Sequence, residues 1–154
     1  MNSLSEVIDA KPDIVIVEFG MNDHVIPDSL STEMLESFRV DMNNIVNSLQ
    51  DAGIDVILVG FFQQNDVWEL ENITATDKYN FLLESIAKEN NVYFADIRKK
   101  YMAINKVKNI YEDVTADYMH HPSDWGHMIY MSEILPVFNI DGKMRPVDIN
   151  GYVN

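Results

Sequence analysis

Lys11-Pro-Asp-Ile-Val-Ile-Val-Glu-Phe-Gly-Met-Asn-Asp-His24 is the stretch that decides the fold. Its four consecutive β-branched residues, Ile14 to Val17, mark a strand covered on both faces, as strands in parallel sheets are. The apolar run ends at Gly20, and a polar turn with Asn22, Asp23 and His24 follows. Upstream, Leu4, Val7 and Ile8 have helical spacing over Ser3 to Ala10, and Pro12 stops that helix. Downstream, Gly20 to Leu30 is loop, with Pro27 and Asp28 as turn formers.

The rest of the chain repeats the alternation. Ser31 or Thr32 caps a helix whose apolar face is Leu35, Phe38, Met42, Ile45, Val46 and Leu49, and Gly53 ends it. Ile54 to Phe61 is a second buried strand, and Gln63 to Thr74 a polar loop containing Trp68, a residue that fits substrate contact and packing equally well. A helix from Thr76 to Asn90 turns Tyr79, Leu82, Leu83, Ile86 and Ala87 inward. Val92 to Ala95 is a third strand, followed by a short helix through Tyr101. Asn105 to Met119 has no periodicity. Trp125 to Leu135 is the last helix, with Trp125, Met128, Ile129 and Leu135 inward, and Pro136 closes it. Strand and helix in alternation with short connections predict one α/β domain over residues 1–154, a parallel sheet between helical layers. Sites in such sheets form beyond the carboxyl ends of the strands, where Asn22 to His24 lie.

Two motifs carry chemistry. Asn22, just past a buried strand, offers a neutral N–H donor to a developing oxyanion; taken by itself an Asx turn is the better reading, and Asp23 would tie the turn by accepting backbone N–H bonds. In His121-Pro-Ser-Asp-Trp-Gly-His127, Asp124 and His127 are three apart at a helix start and share a face. A carboxylate there orients an imidazole for proton abstraction. Gly126 permits close approach, and Pro122 holds the segment before the helix. A surface carboxylate beside a half-buried histidine has the same spacing. His120, His121, Asp124 and His127 also form a dense set of nitrogen and oxygen donors; the expectation is nevertheless no metal and no cofactor. No Gly-rich turn joins a strand to a helix, which argues against nucleotide binding.

The two motifs, in this order on this pattern, resemble the SGNH (GDSL-type) hydrolase family of esterases and lipases. Gly20-Met-Asn-Asp23 looks like its third block and His121 to His127 like its fifth, so the resemblance runs from Lys11 to Leu135. It implies an acyl hydrolase acting on carboxylic esters, with Asn22 in the oxyanion hole, His127 as general base and Asp124 as its orienter, and Gly20, Asp23, His121 and Gly126 supporting the site. Phe19 to His24 leans toward the carbohydrate esterases of the family. The family's Gly-Asp-Ser nucleophile block and second, glycine block are absent. The resemblance therefore implies the C-terminal two-thirds of a three-layer α/β/α sandwich with a flavodoxin-like sheet, lacking its first two strands, whose serine lies outside this chain. On that pattern the isolated chain is inactive, and a truncated or non-catalytic protein acting as a binding module is the alternative. The strand at residues 14–19 would be an open apolar edge, to be covered by an N-terminal segment or by a second copy in a homodimer.

Composition sets the outer bounds. The chain has 154 residues, 47% of them hydrophobic and 23% charged, enough for one core. A net charge of −14 argues against nucleic acid or an anionic membrane as partner. No apolar run is long enough for a membrane helix, and Met1 to Glu6 does not have the features of a signal peptide. Zero cysteines exclude disulfides and thiolate chemistry and leave the compartment open. The nine methionines are expected to fill core.

Overall fold

The computed structural model describes residues 3–65, 67 and 75–138. Its elements are helix α1 (Ser3–Asp9), strand β1 (Ile14–Val17), α2 (Thr32–Asp51), β2 (Asp55–Val59), α3 (Thr76–Glu89), β3 (Tyr93–Ala95), α4 (Ile97–Asn105), the short α5 (Ile110–Asp113) and α6 (Asp124–Ile134), followed by a 3-10 turn, Leu135–Phe138. The strands form one parallel sheet in the order β1-β2-β3. Trp68 and the residues after 138 lie outside the described residues.

Strand periodicity of two explains the layers. On β2, Val56 and Leu58 face one core, built with Val46 and Leu49 of α2 and Leu83 and Ile86 of α3. Ile57 and Val59 face the other, built with Ile97 and Tyr101 of α4, Ile110 of α5 and Tyr130 of α6. The domain is thus an α/β sandwich with a helical layer on each face of the sheet. All four residues Val56 to Val59 are at most 5% exposed. At about 1.5–3 kcal/mol for each fully buried aliphatic side chain, β2 anchors the sheet.

β1 departs from the sequence expectation in coverage but not in position. It is the sheet edge, and Ile16 is 50% exposed and Phe19 54%. The β-branched run is therefore not covered on both faces, and among the described residues no strand pairs with its outer edge. A groove of about 430 Å³ runs along it between α1 and α2, lined by Leu4, Val7, Val15, Ile16 and Phe19 among others.

The helix ends follow local chemistry. Ser31, rather than Thr32, caps α2 by accepting from the Met34 N–H. Asp96 caps α4 through the Lys99 N–H, and Ser123 caps α6 through the Gly126 N–H. Trp125 does not face inward as its spacing suggested; it is 63% exposed, and the fully packed residues of α6 are Gly126 and Tyr130. No helix among the described residues is long and apolar enough to cross a membrane.

Candidate active site

The first wall of the site is the turn after β1. Gly20 has φ +114°, and a Cβ there would lie 2.6 Å from Phe61 Cε1, so glycine is needed for both conformation and space. His24, fully buried, holds the turn shut. Its backbone N–H donates to the Gly20 carbonyl at 3.1 Å, its Nδ1 lies 3.1 Å from the same oxygen, and its Nε2 lies 3.2 Å from Thr76 Oγ1. Those partners assign the Nδ1–H tautomer. Ser29 Oγ donates to the His24 carbonyl and Tyr79 OH to the Ser29 carbonyl, tying the turn to α3. Asp23 was expected to make this tie. It accepts no such bond among the described residues, and the His24 imidazole closes the turn instead. Asn22 is exposed, and its side-chain amide makes no hydrogen bond among the described residues.

The second wall follows β2. Asn80 of α3 pairs with both the N–H and the carbonyl of Phe61. Beyond it, Gln64 Nε2 donates to the Met21 carbonyl at 3.3 Å, reaching the Asn22 turn. Asn65, 4% exposed, reaches the other way: its backbone N–H donates to the Met119 carbonyl at 3.0 Å and its Nδ2 to the Tyr118 carbonyl at 2.9 Å. The segment after β2 thus joins the turn at Asn22 to a third loop.

That third loop, Ala116 to His121, is closed at its base by an antiparallel bridge between Thr115 and Pro122 and by the Ala116 N–H donating to the His121 carbonyl. Tyr118 sits in it at φ +63°. Asp117 organises the interior. Its Oδ1 accepts the backbone N–H groups of Met119, His120 and His121 at 2.8, 2.9 and 3.1 Å. Its Oδ2 lies 2.6 Å from His121 Nδ1 and 3.5 Å from His120 Nδ1. Partial burial pushes the Asp117 carboxyl up, but the three backbone N–H groups and the His121 ring outweigh it and hold the group well below the usual carboxylate range. His120, more enclosed, is pushed down by burial and by its neighbour His121, against the pull of Asp117. With Nδ1 hydrogen-bonded to the carboxylate, His121 presents Nε2 outward on a side chain that is 70% exposed.

The pairing expected from spacing does not form. His127 Nδ1 lies 3.0 Å from the Ser123 carbonyl, and no Asp124 oxygen is within 4.0 Å of its ring nitrogens. Asp124 is the first residue of α6 and exposed at its positive end, while the His127 ring reaches back one full turn past it. His127 instead stands near Glu18 at the end of β1. Burial raises the Glu18 carboxyl, opposed by a hydrogen bond from Tyr130 and by His127. Gly126 does permit a close approach: a Cβ there would meet the Val114 carbonyl and lie 2.7 Å from Tyr101 OH. The donor cluster is likewise regrouped. Among the described residues, Asp117, His120 and His121 place a ligand atom each within 4.8 Å of one another; Asp124 and His127 do not join them.

The contacts of Asp117, Gln64 and Asn65 were not anticipated from the sequence. The Asp117-to-His121 spacing of four lies in an aperiodic segment, where no helical rule singles it out. The observed arrangement is an imidazole hydrogen-bonded to a carboxylate on an exposed loop, and an exposed Asn22 on a turn that Gln64 and Asn65 link to the same loop. Such a pair can take a proton from a hydroxyl and return it to a leaving group, while the amide stabilises an oxyanion. That is the chemistry of acyl transfer.

The comparisons agree with the fold and give the family. Residues 2–129 match the GDSL-like Lipase/Acylhydrolase family, and the chain belongs to it. No match is found among curated proteins. Among solved structures, the chain is similar to Axe2, an acetylxylan esterase from Geobacillus stearothermophilus, at 23% identity and TM-score 0.68, covering 90% of this chain and 63% of that one. A variant of the same esterase gives 25% identity and TM-score 0.68 over 84% of this chain and 61% of that one. LAE5, an alpha/beta hydrolase enzyme from the metagenome of Lake Arreo, Spain, gives 18% identity and TM-score 0.71 over 89% of this chain and 64% of that one. The chain spans less than two thirds of the length of these structures. Structures described as catalytic mutants of Axe2 replace a serine, an aspartate and a histidine.

Proposed function

We propose that the chain carries the acid–base half of a serine ester hydrolase acting on acetylated carbohydrate. The observation that carries this is the 2.6 Å contact between Asp117 Oδ2 and His121 Nδ1, set beyond the carboxyl ends of the strands and joined through Gln64 and Asn65 to the Asn22 turn. Membership of an acylhydrolase family supports the reaction class, and the Axe2 likeness supports acetyl esters of a sugar as the substrate class.

In the proposed reaction His121 Nε2 takes the proton of a serine hydroxyl as its oxygen attacks the ester carbonyl carbon. Asp117 keeps the ring in the required tautomer and stabilises the imidazolium. Asn22 donates to the oxyanion. Collapse of the tetrahedral intermediate breaks the carbonyl–alkoxy bond, and the leaving alcohol takes the proton from His121. Water, activated by the same nitrogen, then releases the acid. Gly20, Asp23 and Gly126 shape the walls rather than react.

Among the described residues no serine hydroxyl is hydrogen-bonded to the ring of His121 or His127, and the nucleophile is proposed to lie outside this sequence. The open edge of β1 is proposed to pair with the strand that delivers it. On this basis the isolated chain releases no acetate above background from p-nitrophenyl acetate or acetylated xylo-oligosaccharides. The protein that carries the serine releases acetate from both and favours them over long-chain esters. A preference for long-chain esters would refute the substrate class. Turnover by the isolated chain that depends on His121 would refute the external serine.

A further inference from the structure

Asp117 holds two imidazoles on one oxygen. Oδ1 is filled by three backbone N–H groups, which fixes the plane of the carboxylate and leaves Oδ2 for the side chains. His121 Nδ1 lies 2.6 Å from Oδ2 and His120 Nδ1 3.5 Å from it. The two rings lie against each other with centroids 3.9 Å apart. An orienting carboxylate needs one imidazole. The second, drawn onto the same oxygen from the next residue, is unexplained by proton transfer. Two imidazoles and one carboxylate are a common donor set for divalent transition metals. With metal–ligand bonds of about 2.0–2.2 Å, neighbouring donors around one ion stand roughly 3 Å apart. The observed separations of 2.6 and 3.5 Å fall on either side of that spacing, and the three ligand atoms all lie within 4.8 Å of one another.

We propose that Asp117, His120 and His121 form a binding site for a divalent transition-metal ion, and that the ion switches the acid–base pair off. On binding, the metal takes the electron pairs of Oδ2 and of one nitrogen of each imidazole, and the proton on His121 Nδ1 moves by way of solvent to Nε2, which leaves a neutral imidazole ligand with no free base. Asp117 then no longer orients the ring, and a metal-bound imidazole beside a cation is a poor base. The inhibitory part rests on the proposal that His121 is the general base; the binding part does not.

The test is calorimetric titration of Zn²⁺ into the chain purified without a tag. One ion per chain with a micromolar dissociation constant is expected. His120→Ala and Asp117→Asn each weaken it at least tenfold, and Asp124→Asn leaves it unchanged. Long-range ¹H–¹⁵N correlation through the ring carbon protons provides a second readout: the ring nitrogens of His120 and His121 shift on addition of Zn²⁺, and those of His24 do not. Circular dichroism confirms that each variant is folded; should Asp117→Asn be unfolded, His120→Ala alone decides. No saturable binding below about millimolar Zn²⁺, or binding indifferent to His120→Ala, overturns the proposal; the latter would mean that ions gather on the carboxylates of a chain of net charge −14. Neither readout requires turnover, so a failed esterase assignment would leave this titration intact. In the protein that carries the serine, His120→Ala keeps ester turnover and removes inhibition by Zn²⁺. Inhibition that persists in that variant places the ion elsewhere.

Discussion

Replacing Asp117 separates its two duties. As a turn former, its Oδ1 accepts three backbone N–H groups; as an orienter, its Oδ2 holds His121. Asp117→Ala removes both. Three hydrogen bonds at about 1 kcal/mol net each suggest roughly 3 kcal/mol, but the side chain is 31% exposed and water recovers part of it, leaving about 2 kcal/mol. For a chain of this length that lowers the melting temperature by roughly 4–8 °C. Asp117→Asn keeps an oxygen for the three N–H groups, so it costs under about 1 kcal/mol. It nevertheless turns an N–H toward His121 Nδ1, which forces the proton onto Nε2 and leaves no base facing the substrate. Turnover in the serine-bearing protein should then fall on the order of 10³- to 10⁴-fold. Thermal unfolding and ester turnover on the two variants give the comparison. An Asn variant that melts near the parent and turns over within about threefold of it would refute the role of Asp117.

Asn65→Ala removes the bond to the Tyr118 carbonyl and opens a buried polar gap; a loss of about 1–3 kcal/mol in a urea titration is expected, with the His121 ring signals broadened. Gly20→Ala meets both a positive φ and the Phe61 ring, and should cost at least about 1–3 kcal/mol by the same titration. Stability should rise and then fall on acidification. Glu18 is raised in the folded state, so lowering the pH through that raised value, above 4.5, protonates the folded protein preferentially and stabilises it. Asp117 is depressed, so its contribution is complete above the unfolded value near 3.8 and is lost as the pH falls below it. Urea midpoints across pH 2–7 check this: Glu18→Gln should remove the rise and Asp117→Asn the acid arm.

The fold was largely legible because periodicity encodes it. The β-branched run at Ile14, the apolar face from Leu35 to Leu49 and the alternation along β2 each allow one local structure. Exposure was less legible. Ile16 has the sequence of a covered residue because sequence records what a strand is built to meet, and Trp125 has helical spacing on a helix too short and too close to the loop at Val114 to bury it. Contacts within the candidate site were less legible still. Asn22 and the His121-Pro122 turn stand out by type and position, whereas the contact of Asp117 with His121 does not. Asp124 and His127 satisfy a helical spacing rule, and their geometry obeys a different preference, the ring of His127 meeting the carbonyl four residues back. Asp117 meets His121 only because Asn65 and the Thr115–Pro122 bridge fold an aperiodic loop around it, and tertiary contacts of that kind have no period to read. His24, grouped with the polar turn, proved to be its buried fastener.

Ester turnover of His121→Ala and His127→Ala, side by side in the serine-bearing protein, tests the assignment of the base most directly. His121→Ala should lose at least about 10³-fold in kcat with its fold intact, and His127→Ala should stay within about tenfold of the parent. The reverse ranking would return the general base to His127 and contradict the pairing of Asp117 with His121 as the working half of the site.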